Sequence, residues 1–287
     1  MILIPVLIDG LERIFRLLQA LVQLLISYPS LFLVVVPPPL SLSLSLSRSS
    51  PLIQTLPALR SRLATLRRPF RLFRFLDAFS SAWSTFTSPS AISSSPSPSF
   101  KEGLVKWLDI ASKSFNGMYL LLESVTFLEA LDVPGLGLWG DEVAGVLAVE
   151  AQRFWFFSLG CAVVGAGVRL ICSGESKEGG EIGGKGKGVN GGKKDGEVDE
   201  KGQARGRGKE GREEAVKEKE IRRKIVRRMV ADVMDLAVPG SVIGWVPFSA
   251  GTVSFLMFWS TILTGLEVWE KCGRELAAAK ASSKTGR

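Results

Sequence analysis

The chain has 287 residues, 46% of them hydrophobic and 22% charged, with a formal net charge of +8 and no histidine. Without histidine, Ser-His-Asp and Cys-His catalysis, histidine metal sites and a histidine pH switch are all excluded. A mean hydropathy of +0.22 with a pI near 9.5 fits a membrane protein with basic loops; the basic residues flank apolar faces without any zinc-finger or RNA-binding motif, so nucleic acid is not an expected partner.

Residues 1–26 read as a short N-terminal helix. Leu11, Ile14, Leu18, Leu21 and Leu25 share one face, while Glu12, Arg13, Arg16, Gln19 and Gln23 supply polarity. The start lacks a basic n-region and is not read as a secretory signal. Residues 27–58, with three consecutive prolines and a Ser-Leu repeat, read as a low-complexity insertion that is expected to be disordered.

Residues 59–87 hold an Arg-rich amphipathic helix, whose segment Leu59–Phe79 carries six arginines and one acid. Leu59, Leu63, Leu66, Phe70, Phe73, Leu76 and Phe79 recur at steps of three or four, the helical period. Arg60, Arg67, Arg71 and Arg74 form a second stripe beside them. Pro69 either kinks this helix or opens a second one as its first-turn residue. Three readings compete: a core helix of a soluble bundle, part of an import presequence, or a helix lying at a membrane surface. A presequence agrees with a first hundred residues holding nine arginines, no lysine and three acids, but the arginines cluster late for it. The membrane surface is favoured: the seven apolar residues would insert, and the four arginines would bind anionic lipid.

Residues 88–100 form a Ser/Pro linker. Residues 101–172 read as a helical region: Leu104, Leu108, Ala111, Phe115, Met118 and Leu122 share a face up to Leu131, and Phe154–Cys172 is a candidate membrane span. The run 154–168 is uncharged and bounded by Arg153 and Arg169, which could snorkel toward headgroups. Between these parts, Gly135, Gly137 and Gly140 match GxGxxG, but no strand precedes them and Asp141 follows too soon, so a helix-breaking loop is expected. Cys161, Cys172 and Cys272 form no CxxC pair. Residues 173–211 are a Gly/Lys/Glu linker, expected to be disordered.

Residues 212–272 join a basic helix to a hydrophobic membrane segment. Ile221, Ile225, Met229 and Val233 mark the basic helix's apolar stripe, beside Arg222, Arg223, Lys224, Arg227 and Arg228. Asp232 and Asp235, like Glu123 and Glu129, are expected to pair with arginines rather than to do acid-base chemistry. Leu236–Leu266 is uncharged for thirty-one residues, and Phe248–Leu266 reads as a span. Gly240 and Gly244 have the small-xxx-small spacing of a helix contact. Residues 273–287 form a tail, ending without a matrix-import tripeptide. The reading is an all-α, membrane-associated helical protein with amphipathic interfacial helices and one or two transmembrane helices. No catalytic site, metal site or cofactor is expected.

The order of LERIFRLLQAL, RRPFRLFRFLDAF, SFNGMYLLLESVTFLEAL and MVADVMDLAVPGSV resembles the peroxin-11 family of peroxisomal membrane-elongation proteins, nearest its divergent fungal branch. The resemblance covers residues 10–26, 59–86, 101–172 and 219–272. It implies a peroxisomal membrane protein that elongates the membrane before fission by inserting an amphipathic helix into one leaflet, with Leu59–Phe79 as the matching position. It further implies self-association, an import receptor for peroxisomal membrane proteins, and recruitment of fission machinery. In that setting Arg222, Arg223, Lys224, Arg227 and Arg228, beside an apolar run, form a membrane-targeting site. The resemblance favours cytosolic termini, although the charges of the 173–211 linker would draw that linker to the cytosol. The alternative reading is a solute channel or carrier-like protein of an organelle membrane.

Overall fold

The computed structural model describes residues 3–28, 51–88, 100–131, 133, 135, 137–178 and 200–285. Most of the 27–58 insertion, the body of the Ser/Pro linker and the middle of the Gly/Lys/Glu linker lie outside them. The helices are α1 (Leu3–Ser27), α2 (Pro51–Arg67), α3 (Arg74–Thr87), α4 (Phe100–Val125), α5 (Phe127–Ala130), α6 (Asp141–Glu178), α7 (Glu200–Asp235), α8 (Ala237–Ile243) and α9 (Ala250–Thr285). A 3-10 turn, Pro69–Arg71, stands between α2 and α3, and the described residues contain no strand.

Of the two readings of Pro69, a kink or the start of a second helix, the structure shows two helices joined by a corner. Pro69 has no N–H to continue the ladder, so Arg68 N closes α2 on Thr65 O at 3.1 Å and Pro69 opens the 3-10 turn. Leu72 is extended and Phe73 takes φ 66°, a left-handed conformation that costs a side-chain-bearing residue roughly 1–2 kcal/mol. Only then does α3 begin. Two linker expectations also change. Residues 51–58 belong to α2, and α7 starts at Glu200 rather than near residue 212, because Glu, Lys, Arg, Gln and Ala between the glycines favour helix.

The core lies where α4 is sandwiched between α3 and α6. Ala78, Tyr119, Leu120 and Ala151 are buried there, with Phe75, Phe154 and Trp155 packed around them. Tyr119 stacks on Trp155 with centroids 5.3 Å apart. Ser112 and Ser158 bind each other's backbone carbonyls at 2.9 and 2.8 Å, clamping α4 to α6. At Gly117 an added Cβ would lie 2.7 Å from the Phe79 ring, so α3 approaches α4 there as closely as glycine permits. A second group joins α1 to α9 and α2, and α7 to α6 and α9.

Gly240 is buried in α8, where a Cβ would stand 2.7 Å from Val246 and 3.4 Å from Phe156 of α6, so it is a close-contact position. Gly244, at φ 83°, instead terminates α8. In the GxGxxG loop, Gly135 and Gly140 have φ 82° and 74° and the Leu138 and Trp139 amides donate to Glu129 Oε1 at 2.7 and 2.8 Å. Glu129 is therefore a loop clamp, not an arginine partner.

Candidate membrane interface

In a soluble amphipathic helix the apolar stripe turns inward. In helix α1 the predicted stripe faces outward, and the inward face mixes Ala20, Val22 and Leu24 with polar groups. Leu11, Ile14, Leu18 and Leu21 are exposed, whereas Glu12, Arg16, Gln19 and Gln23 face the protein. The inward groups at 12, 16 and 19 each meet a charged or polar partner. Arg67 Nη1 donates to Gln19 Oε1 at 2.7 Å, Arg74 Nη1 to Glu12 Oε2 at 2.7 Å, and Arg16 reaches Asp235 at 2.5 Å. Asp235 also accepts from the buried Ser260 hydroxyl of α9.

Arg71 is the hub of this interior. It lies 2.7 Å from Glu123 and 3.4 Å from Glu12, and donates to the Tyr119 hydroxyl at 2.6 Å. Burial opposes its charge, but Tyr119, Glu123 and Glu12 together hold the guanidinium above its ordinary value. Burial, aided by Arg71 and Arg16, pulls Arg67 down to about 10, still charged at neutral pH.

The Tyr119 phenol is pushed up to about 12 by burial, with Glu123 adding to the effect. An unfolded chain releases that proton near pH 10. The tyrosine's contribution to stability is thus complete below pH 10 and declines as pH rises toward 12. Tyr119→Phe should flatten this alkaline decline, measured as helical circular dichroism against pH. Arg67, whose shift acts in the opposite sense, is common to both proteins.

Of the seven side chains predicted to insert, Leu59, Leu66, Phe73 and Leu76 are exposed. Leu63 is buried, Phe70 is half-buried and stacks on Phe15 at 5.9 Å, and Phe79 packs against Gly117. Of the four arginines predicted to meet lipid, Arg60 and Arg74 stay exposed while Arg67 and Arg71 turn inward. Exposed apolar side chains continue along α3. Leu76, Trp83 and Phe86, at steps of seven and three, are 58%, 66% and 50% exposed. Trp83, Phe86 and Trp107 of α4 form an aromatic chain with centroids 5.7 and 6.2 Å apart, and Trp107 is 61% exposed. Trp83 and Phe86 continue the period beyond Phe79, so a longer reading window would have found them.

In α7, Arg222 and Arg223 are exposed, Lys224 pairs with Glu220 at 2.7 Å, Arg227 donates two hydrogen bonds to the Glu270 carboxylate at 2.7 and 3.1 Å, and Arg228 reaches Asp232 at 3.3 Å. Three of the five predicted targeting cations thus also tie helices or turns together.

Two helices are long and apolar enough to cross a bilayer, over Asp141–Cys172 and Ala250–Ala277. Twenty-eight residues of helix extend about 42 Å against a hydrocarbon core of about 30 Å. The apolar windows are 17% and 33% buried, far less than the core helix of a soluble protein. Apolar helices of spanning length, an outward aromatic strip and an inward charge network fit an all-α, membrane-associated protein.

The sequence profile of peroxisomal biogenesis factor 11 matches residues 41–269. No curated protein and no solved structure matches the chain. Because the match spans most of the chain, the protein belongs to the peroxisomal biogenesis factor 11 family, a family of peroxisome biogenesis.

Proposed function

We propose that this protein elongates and remodels the peroxisomal membrane during proliferation and fission, with α3 inserting its apolar strip into one leaflet. The observation that carries this reading is the outward strip of Leu76, Trp83 and Phe86 on a helix held rigidly by the core beneath it. Insertion of such a strip at the interface widens one leaflet more than the other and so favours curvature. Arg60 and Arg74 add attraction for anionic headgroups. The reading extends to further steps that the resemblance implies: delivery to the peroxisome by an import receptor reading Arg222, Arg223, Lys224, Arg227 and Arg228, self-association, and recruitment of fission machinery. The protein performs no catalysis in this reading.

The test is in cells. Replacing Leu76, Trp83 and Phe86 together with Ser should leave fewer, enlarged peroxisomes while the tagged protein still reaches them. Normal organelle number with altered solute flux would instead favour a channel or carrier-like protein.

A further inference from the structure

Among residues 10–28, the exposed positions are Leu11, Ile14, Leu18, Leu21 and Tyr28. Every charged or amide side chain of that stretch, at 12, 13, 16, 19 and 23, is at least partly buried. Helix α3 is less one-sided, since it exposes Asp77, Ser80 and Ser84 beside its apolar strip. Three charges, Glu12, Arg13 and Arg16, keep α1 from reading as a membrane helix by composition. In the fold Glu12 meets Arg71 and Arg74, Arg16 meets Asp235, and Arg13 lines an inner cavity beside Arg16. None of the three is exposed, so the outer face of α1 presents no charge.

The helix beside that face has membrane length. α1 packs on α9 with opposite chain direction: Arg16 binds Asp235, which accepts from Ser260, whereas the Tyr28 ring lies against Gly251, 2.8 Å from where a Cβ would stand. The uncharged stretch 17–27 of α1 therefore runs beside residues 251–260, inside the uncharged run 236–266. Its eleven residues extend about 16 Å, about half of a hydrocarbon layer. Tyr28, at its end, has the amphipathic ring that favours the membrane–water boundary. Phe255 and Trp259 of α9 are exposed as well, so the apolar surface continues from one helix to the other.

The composition of the stripe says what covers it. Helices that meet within a membrane do so through small residues. On α1 and α9 these face inward: Ala20 is fully buried, and Gly251 receives Tyr28. The outward positions from 11 to 21 hold Leu and Ile, bulky side chains that suit acyl chains better than a second helix.

We propose that α1 is a third bilayer-embedded helix, lying along the first part of α9 and presenting Leu11, Ile14, Leu18 and Leu21 to lipid acyl chains. The Arg16–Asp235 pair compensates charges that the bilayer would otherwise exclude. The proposal rests on α9 lying in the membrane and is independent of insertion by α3.

A photoreactive benzophenone amino acid at position 14, 18 or 21 of the full-length protein tests it, in proteoliposomes of tritiated phosphatidylcholine. Each should form lipid adducts in yields like those from positions 255 and 259 of α9. Position 217, exposed on the basic helix α7, should form almost none. Adducts to a second copy in place of lipid would assign the face to self-association, and the absence of both would place it in water. Either result overturns the proposal, while lipid adducts at 255 and 259 would still keep α9 in the membrane. Loss of adducts at 255 and 259 as well would remove α9 from the bilayer, and α1 with it.

Discussion

Arg71→Leu should destabilise the fold by about 3–5 kcal/mol, the range for removing one partner of a buried ion pair. The reason is the pair of carboxylates it leaves behind. Glu12 and Glu123 have side chains only 15% and 14% exposed, and Tyr119 would lose the donor at 2.6 Å. Glu12 keeps Arg74, whereas Glu123 loses its cation. Arg60→Leu, on the exposed face of α2, should change stability by less than about 0.5 kcal/mol. Pairing Arg71→Leu with Glu123→Leu should recover much of the loss, because a buried ion pair replaced by apolar groups is often nearly neutral. Chemical unfolding in detergent, followed by circular dichroism, measures all three. Equal stability of Arg71→Leu and Arg60→Leu would mean that the interior network does not hold α1, α3 and α4 together.

The second large effect concerns the lipid surface. Full burial of a large apolar side chain is worth about 1.5–3 kcal/mol, of which interfacial insertion realises part. Losing Leu76, Trp83 and Phe86 together should therefore cost α3 several kcal/mol of membrane affinity. Each arginine near an anionic surface is worth roughly 1 kcal/mol. With Arg67 and Arg71 turned inward, Arg60→Gln/Arg74→Gln should cost less than the apolar triple. The expected order for tubulation of anionic proteoliposomes is wild type, then the arginine double variant, then the apolar triple variant with little left. High salt should weaken the wild type without abolishing its effect. Spin labels provide a geometric check. Positions 76, 83 and 86 should be accessible to oxygen dissolved in the bilayer, and positions 77 and 84, about a quarter-turn round α3, to aqueous nickel complexes. The reverse pattern would remove α3 from the membrane.

Periodicity made the helices legible. The residues at 11, 14, 18 and 21 define one stripe of α1, and those at 12, 16, 19 and 23 define the other, whatever surrounds them. What periodicity does not carry is direction. In water the apolar stripe must face the core, so the pattern alone orients a helix. Beside lipid the apolar stripe is able to face outward, and buried polar groups then find partners on other helices. The sequence therefore left undecided whether Arg71 points to a headgroup or to Glu123. That choice rests on a residue 52 positions away, across a loop and a second helix.

Pro69 was a visible break, but the left-handed turn at Phe73 was not. An aromatic residue there has no local preference for positive φ; the corner is imposed by Arg71 reaching Glu12 and Glu123 while α3 packs Phe79 onto Gly117. The same corner divides the predicted insertion stripe, sending Leu63 and Phe79 inward and carrying the exposed face on to Trp83 and Phe86.

By itself, then, the sequence determined an all-α chain with two apolar helices of membrane length, a basic character and membership of one family. These are local or collinear properties, set by side-chain period, the length of uncharged runs and segment order. Tertiary structure alone decided which face of each helix looks outward and which arginines turn inward to carboxylates. Those depend on contacts between residues far apart in the chain, whose energies are comparable with the cost of burying a charge and so outweigh any local preference.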